Sequence, residues 1–363
     1  MKKYDVAAYV WPSYTGDEIR TRMFWPQGFG EWQTVMNTFK RYPNDSWPRR
    51  PLWGYQNEAD PYVMQMQIDA AVDHGVNVFI YDWYWYDRRP FLEQCLDNGF
   101  LKAKNNKKMK FYLMWANHDA RSMWNKQISD YAVKNNEVIW KGSVDFNEFK
   151  RIVAYVIKNY FLIDNYYKIN GCPVFMIYRL KELLEGFDGN IEKTAEALEY
   201  FRDEVKKAGF PDLHLQLKQT RYSPFENMSV EEVINKLGFD STTDYQFVDF
   251  TKMNREYSEV VKDVEKEFER LSSRSIPYFP HVSVGWDSNP RYNEFQDCIV
   301  RNNTPEEVEK AFRLAKAYAD AHPNQAPLIT VNSWNEWTET SYLEPDDLYG
   351  YGYLEAIKRV FCE

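Results

Sequence analysis

The chain has 363 residues, of which 44% are hydrophobic and 27% charged, so it has the composition of a globular protein and not of a disordered one. Its formal net charge of −9 at pH 7 argues against nucleic acid as a partner, because basic surfaces bind polyanions. Aromatic residues make up 17% of the chain, which is more than a core alone obviously needs.

Short runs typical of buried β-strands recur along the chain, and a segment with helical periodicity follows each of them. The runs are continuously apolar or aromatic, as expected for parallel strands that are buried on both faces. The eight predicted strands are residues 5–11, 77–84, 110–116, 173–178, 213–218, 242–247, 279–285 and 327–333.

The helices between these strands have recognisable ends. Asp60 followed by Pro61 predicts an N-cap and a first helical position, and Gly75 predicts the end of the same helix. Ser229 and Thr304 each begin a segment with the capping-box pattern.

Alternating strands and helices predict a (β/α)8 TIM barrel, an α/β fold, with enlarged loops at its C-terminal face. The main alternative, a doubly wound sheet, would need a glycine-rich turn after its first strand, and none is present. We expect residues 1–363 to form a single catalytic domain. The segment from Arg20 to Asn57 is too long for an ordinary loop and is predicted to fold over the barrel mouth.

No stretch approaches the roughly 18 apolar residues that cross a bilayer, so no membrane span is expected. The start of the sequence lacks the pattern of a signal peptide. We therefore expect a soluble protein, periplasmic or secreted if a leader has been removed and cytoplasmic otherwise. The four scattered cysteines predict free thiols, and no cofactor or metal is expected.

In a (β/α)8 barrel the active site lies at the C-terminal ends of the strands, where this chain concentrates aromatic and acidic residues. Aromatic rings pack against the C–H faces of sugars, and hydrolysis of a glycoside needs two carboxyl groups, so an oligosaccharide or polysaccharide substrate is predicted. The candidate substrate-binding residues are Tyr81, Asp82, Trp83, Trp115, Asn117, His118, Tyr178, Tyr245, His281, Trp286, Asn335, Trp337 and Glu31.

The sharpest catalytic candidates are Glu336 and Glu339, three residues apart on the turn after the last strand. Both face one pocket if the chain curls helically there, whereas the alternative is that they are surface charges or begin the next helix. The flanking Trp334 and Trp337 favour a pocket. We expect Trp83, Trp115, Trp286 and Trp337 to surround that pocket, with the two glutamates at its floor.

Two other residue types leave alternatives open. His118 and His281 each follow an apolar run, and either a structural role at the rim or a contact with sugar hydroxyls fits such a position. Asp82 and Asp119 are of the type that binds metals, but no H-x-H or H-E-x-x-H spacing accompanies them.

Six segments resemble a known family. They are Phe29-Gly30-Glu31-Trp32, Tyr81-Asp82-Trp83-Tyr84-Trp85, Trp115-Ala116-Asn117, Trp334-Asn335-Glu336-Trp337-Thr338-Glu339, Tyr342-Leu343-Glu344-Pro345 and Tyr349-Gly350-Tyr351. The chain is similar over most of its length to the WbsX-like proteins, a branch related to glycoside hydrolase family 99, the endo-α-mannanases and endomannosidases. The N-E-W-x-E element is the specific part of this resemblance.

The resemblance implies a (β/α)8 barrel and a retaining α-glycosidase without a carboxylate nucleophile. Glu336 would remove the proton of the sugar's own 2-hydroxyl, which closes onto the anomeric carbon as a 1,2-anhydro intermediate. Glu339 would protonate the departing oxygen and then activate water. α-Mannosides and α-rhamnosides have the required 2-hydroxyl trans to the leaving group. The chain departs from the family pattern at Thr340, where family 99 enzymes typically have glycine.

Two other functions remain open at this point. The WbsX-like branch has also been described as glycosyltransferases of surface polysaccharide (O-antigen) synthesis, which would need a diphosphate site. The sequence has no D-x-D and no glycine-rich turn, and Arg179 and Arg221 are the residues available to a phosphate. The second is a non-catalytic barrel whose aromatic rim binds a glycan.

Overall fold

The structure, a computed structural model, describes residues 4–16, 18–42, 46–125 and 137–363. A ring of parallel strands at its centre contains all eight predicted strands. They are β1 (Asp5–Val10), β2 (Val78–Tyr86), β3 (Lys110–Trp115), β4 (Cys172–Ile177), β5 (His214–Lys218), β6 (Ser241–Thr243), β7 (Tyr278–Phe279 and His281–Ser283) and β8 (Leu328–Asn332).

The strands pair in chain order, and β1 pairs with β8 as well as with β2. Pro280 divides β7 into two segments, as expected for a residue that cannot donate to a sheet ladder. The first segment pairs with β6 and the second with β8, so the ring of strands closes through β7. The predicted (β/α)8 barrel is therefore confirmed.

Helices surround the barrel and are joined to the strands by loops. They are α1 (Trp32–Met36), α2 (Pro61–Asp73), α3 (Phe146–Val156), α4 (Leu180–Glu185), α5 (Ile191–Lys207), α6 (Val230–Lys236), α7 (Tyr257–Ser272), α8 (Pro305–Ala321) and α9 (Gly352–Phe361). Between β2 and β3 the connection contains a π-helical turn, Cys95–Phe100, where the other connections have α-helices. A second π-helical turn, Ile157–Phe161, extends α3.

Local sequence signals account for the helix starts. The Asp60 side chain accepts a hydrogen bond from the Tyr62 amide, with Pro61 as the first residue of α2. Ser229 forms the complete predicted capping box of α6 with Glu232. All nine residues of β2 are buried, because the barrel interior covers one face and the helices cover the other.

The segment from Arg20 to Asn57 lies at the C-terminal mouth of the barrel, as predicted, although its residues 43–45 are outside the described residues. The Arg41 guanidinium in this segment donates to the backbone oxygens of Asn289 and Asn293, in the loop that follows β7. The two loops thereby hold each other over the mouth. The four cysteines are free thiols. No helix in the described ranges is both long and apolar enough to cross a membrane.

Candidate functional site

A cavity of about 360 Å³ opens at the C-terminal ends of the strands, within the range of small-molecule sites. Its aromatic lining consists of Trp11, Trp25, Tyr84, Trp124, Tyr178, Tyr245 and Tyr292. Its acidic lining includes Glu31, Asp82, Glu336 and Glu339. Sugar rings and hydroxyl groups are complementary to such a mixture of aromatic faces and carboxyl groups.

The turn after β8 brings Glu336 and Glu339 to the cavity. Asn335–Glu336 pairs antiparallel with Ser341–Tyr342, and the residues between them form a 3₁₀ turn, Trp337–Glu339. Side chains three residues apart eclipse each other in 3₁₀ geometry, so both glutamates point the same way. They are only 4% and 8% exposed, which excludes the alternative that they are surface charges.

Thr340 completes this turn in the left-handed region, with φ of 56°. Glycine favours this conformation, and a threonine adopts it at a cost of about 1–2 kcal/mol. Two hydrogen bonds of its hydroxyl offset that cost, one donated to the Asp287 backbone oxygen (3.0 Å) and one accepted from the Trp47 indole (3.1 Å). Thr340 therefore adopts the backbone conformation that a glycine would adopt at this position, although the residue departs from the family pattern.

Arg291 connects the acidic side chains of the site. Its guanidinium contacts Glu336 (3.1 Å), Glu339 (2.5 Å) and Glu31 (3.2 Å), each through a different nitrogen. Glu31 also accepts hydrogen bonds from the Trp11 indole and the Ser13 hydroxyl. A planar group with donors in a fixed fork sets the relative orientation of the carboxyl groups that it bridges.

Gly30 makes the approach of Glu31 to this cluster possible. Its φ is 56°, and a Cβ at this position would lie 1.7 Å from the backbone oxygen of Ser13. The Glu31 amide donates to that same oxygen at 3.1 Å. Only glycine allows the long first loop to pass this closely to the end of β1.

The charges of the cluster do not cancel if every group is ionised. Within the described residues Arg291 is the only cation that forms ion pairs with Glu31, Glu336 or Glu339. Burial raises the pKa of Glu339 to about 8, and the charge of Glu336 acts in the same direction. Burial also raises the pKa of Glu336. Arg291 opposes the rise for both glutamates, whereas the hydrogen bond from Tyr245 opposes it for Glu336. These surroundings favour the proton on Glu339 and the charge on Glu336.

The Tyr245 hydroxyl lies between two carboxyl groups. It is 2.8 Å from Glu336 Oε2 and 2.8 Å from Asp82 Oδ2. Tyr245 follows β6, and Asp82 points from β2 into the cavity. The described residues contain no group of three or more His, Cys, Asp or Glu side chains arranged to hold a metal ion, and Asp82 contacts this phenol instead.

A buried polar network lies behind the two glutamates. The Glu58 carboxylate, which is fully buried, accepts hydrogen bonds from the side-chain amide of Asn335 at 3.0 Å. The Gln67 amide bridges Glu58 and Glu344, and the Trp337 indole donates to Glu344. Asn335 and Trp337 are therefore held by this network and lie outside the cavity, on either side of Glu336.

The structure brings together seven of the predicted site residues in one cavity, including both predicted catalytic glutamates, but not the predicted tryptophans. The predicted residues that line the cavity are Glu31, Asp82, His118, Tyr178, Tyr245, Glu336 and Glu339. Tyr81, Trp83 and Trp115 point away from it, because side chains alternate along a strand and Asp82, Tyr84 and Met114 occupy the inner face. Trp83 packs instead against Tyr155 of α3.

Three further predicted residues, Asn117, His281 and Trp286, are not part of the cavity lining. Both polar groups of the Asn117 side chain bond the backbone of Arg179, which joins the ends of β3 and β4. Both ring nitrogens of His281 bond hydroxyls, of Thr330 (2.9 Å) and Ser283 (3.0 Å), inside the barrel. Trp286 is half-buried beside the loop that follows β7. The expected ring of Trp83, Trp115, Trp286 and Trp337 is replaced by Trp11, Trp25 and Trp124.

His118 does line the cavity, as a neutral side chain. Burial lowers its pKa to about 4. Its ring meets Tyr84, Trp124 and Tyr178 edge to face, at centroid distances of 5.6–5.7 Å. A neutral imidazole in this position is suited to hydrogen bonding with a sugar hydroxyl.

Several functional residues escaped the sequence reasoning. Trp11 and Tyr84 could have been predicted. Side chains alternate between the two faces of a strand, and each of these residues occupies a position that faces the inside of the barrel mouth. Arg291, Trp25 and Trp124 come from irregular loops, and no spacing in the sequence marks them. Arg291 is the most important of these, since it holds both glutamates.

The fold has known counterparts among solved structures. The GH99 endo-alpha-mannosidase from Bacteroides thetaiotaomicron superposes with a TM-score of 0.56 at 14% identity, covering 98% of this chain and 95% of that one. A protein described as glycoside hydrolase-like gives 0.59 at 16% identity, covering 99% and 94%. The chain thus has a glycoside hydrolase-like TIM-barrel fold.

The sequence identifies the family more narrowly. The chain belongs to the family described as Glycosyltransferase WbsX, which matches residues 6–357. It is also 24% identical over 361 residues to WxcX of Xanthomonas campestris pv. campestris, a protein described as uncharacterized. That match covers 93% of this chain, and the chain spans about half the length (46%) of WxcX.

Proposed function

We propose that the protein is a retaining glycoside hydrolase that cleaves α-mannoside-like or α-rhamnoside linkages in a complex glycan. The observation that carries this proposal is a pair of buried carboxyl groups in one cavity, Glu336 and Glu339, which Arg291 bridges while Tyr245 contacts Glu336. Burial raises the pKa of Glu339 to about 8, which favours Glu339 as the acid and Glu336 as the base. Pairs of carboxyl groups whose surroundings separate their pKa values are typical of acid and base partners in catalysis.

The roles follow from these protonation states. Glu336 removes the proton of the 2-hydroxyl, whose oxygen bonds the anomeric carbon while the bond to the leaving oxygen breaks. Glu339 gives its proton to that leaving oxygen. In the second step Glu339 takes a proton from water, and the water oxygen bonds the anomeric carbon while the bond between that carbon and the 2-oxygen breaks. Glu336 returns the proton to the 2-oxygen, which becomes the 2-hydroxyl again. Two displacements at one carbon give net retention. We propose further that residues 1–363 act as one catalytic domain.

Substitution of each glutamate tests the assignment. Glu336→Gln and Glu339→Gln should each abolish release of sugar from an α-mannoside or α-rhamnoside. With an aryl leaving group that needs no protonation, Glu339→Gln should recover activity in the first step, whereas Glu336→Gln should not. Glu265→Gln, on the exposed face of α7, is the matched control and should equal the wild type. Undiminished activity in both active-site variants would refute the proposal.

A second candidate function is transfer from a nucleotide sugar. The description of the family favours it, and so does Arg179, which lines the cavity and forms no ion pair with any described residue. Arg221 is not available to a phosphate in the same way, because it pairs with Asp244 (2.9 Å) and Glu267 (3.0 Å). A rise in melting temperature with one nucleotide sugar of a donor panel, lost in Arg179→Ala, would support transfer.

A further inference from the structure

The hydrogen-bond contacts of Tyr245 determine how many protons it shares with the two carboxyl groups beside it. A phenol has one proton and therefore donates one hydrogen bond, although its oxygen can accept others. Here two carboxyl oxygens, Glu336 Oε2 and Asp82 Oδ2, lie 2.8 Å from the same phenol oxygen. The phenol proton fills one of these contacts, and two oxygens at this distance with no proton between them repel. The other carboxyl group must therefore carry a proton of its own.

The surroundings decide which carboxyl group carries it. The remaining oxygen of Glu336 pairs with the Arg291 guanidinium at 3.1 Å, which favours the ionised form. Asp82 forms no ion pair with any described residue, is 3% exposed, and its Oδ1 has no hydrogen-bond partner. Asp82 interacts with the phenols of Tyr9, Tyr84, Tyr178 and Tyr245 and with the acids Glu336 and Glu339. Three cations line the same cavity, Arg121, Arg179 and Arg291, and none of them forms an ion pair with Asp82 in the described part of the chain.

We infer that Asp82 is a neutral carboxylic acid that donates its proton to the Tyr245 oxygen and thereby directs the phenol proton to Glu336. Asp82 is then a positioning residue that acts through Tyr245. Burial together with the charge of Glu336 raises the pKa of Asp82 well above the ordinary value, in agreement with the hydrogen-bond geometry. The inference rests on the proposed function in one respect, that Glu336 is the base.

These two hydrogen bonds, from Asp82 to Tyr245 and from Tyr245 to Glu336, explain how Glu336 stays ionised although it is almost fully buried. A hydrogen bond to the charged form of a carboxyl group favours that form. If Asp82 were ionised, the phenol proton would be shared between two anions and Glu336 would lose part of its stabilisation. The neutral acid removes that competition and fixes the direction in which the phenol points.

Two substitutions at Asp82 separate this role from that of an ionised carboxylate. The amide of Asp82→Asn supplies a donor to Tyr245, whereas Asp82→Ala supplies none. Asp82→Ala and Tyr245→Phe should lower kcat by about 10- to 100-fold, the effect of a lost hydrogen bond to a charged group, with little change in KM. Both should also move the acidic limb of the pH profile to higher pH. Asp82→Asn should restore most of the loss in kcat and the wild-type position of that limb.

Two kinetic outcomes would overturn the inference. If Asp82→Asn is as impaired as Asp82→Ala, then the ionised carboxylate is needed. If Asp82→Ala is unimpaired, then the residue has no role. Thermal melting of all three variants identifies any loss that comes from unfolding.

Infrared spectroscopy tests the proton itself without a substrate. The difference spectrum between wild type and Asp82→Asn at pH 7 should contain the C=O stretch of a carboxylic acid. Loss of a carboxylate band in its place would overturn the inference. If the acid band is present but the wild type cleaves no glycoside, then the proposed function fails and the protonation of Asp82 stands.

Discussion

Replacing Arg291 by methionine removes the positive charge that the three glutamates share, while it keeps a long unbranched side chain. Two opposite charges about 4 Å apart interact by about 4 kcal/mol at an effective dielectric constant of about 20. One pKa unit corresponds to about 1.4 kcal/mol, so the full interaction equals about 3 units. Arg291 is 20% exposed and divides its donors among three carboxyl groups, so we expect a smaller rise of about 1–2 units in the pKa of Glu336.

The assay is the pH dependence of kcat/KM for an α-mannoside or α-rhamnoside. Glu336 must be ionised to act as the base, so a higher pKa moves the acidic limb to higher pH. On that limb Arg291→Met should be about 10- to 100-fold less active than the wild type. Arg291→Lys keeps the charge but loses the fork of donors, and it should move the limb less.

The reasoning would be refuted if Arg291→Met kept the wild-type position of the acidic limb. Thermal melting is the control for folding. A variant that melts at the wild-type temperature but shows the shifted limb isolates the electrostatic role of Arg291.

Three further outcomes are expected. Activity should fall as the pH rises through about 8, because Glu339 must be protonated to act as the acid, and a pH–rate profile checks this. Thr340→Ala loses both hydroxyl hydrogen bonds and keeps the left-handed backbone, so denaturant unfolding should show it less stable than Thr340→Gly by about 1 kcal/mol. Burial lowers the pKa of His281 to about 3, below its ordinary 6.5, so the unfolded chain binds the proton first as the pH falls. The free energy of unfolding should therefore fall by about 3 kcal/mol between pH 6.5 and pH 4, and that of His281→Asn should fall less, as denaturant unfolding at the two pH values would show.

The barrel was predictable from the sequence because its signals are local. Continuous apolar runs mark all eight strands, and caps such as Asp60 and Ser229 mark helix starts. Pro280 interrupts β7, but the residues on both sides of it are buried like those of the other strands. The π-helical turn Cys95–Phe100 was not foreseen, since the sequence signals of π- and α-helical segments are alike.

Site residues were predictable only where they lie at the C-terminal ends of the barrel strands. The turn after β8 lies at a known place in the barrel, and this is how Glu336 and Glu339 were found. The prediction that Trp83 and Trp115 lie in the pocket was wrong, because both residues occupy strand positions whose side chains face away from the barrel interior. Arg291 comes from a loop that is distant in the sequence, and its position depends on tertiary contacts that no local pattern encodes.

The most direct test of the central claim is a comparison of two candidate substrates incubated with the wild-type protein. One is an aryl α-mannoside or α-rhamnoside that is cleaved, and the other is its 2-deoxy analogue, with the first-formed anomer followed by NMR. If Glu336 acts on the 2-hydroxyl, the parent is cleaved with retention and the 2-deoxy analogue is not cleaved. Cleavage of the analogue at a rate similar to that of the parent, or release of the inverted anomer, would contradict the assignment of Glu336 as base and Glu339 as acid.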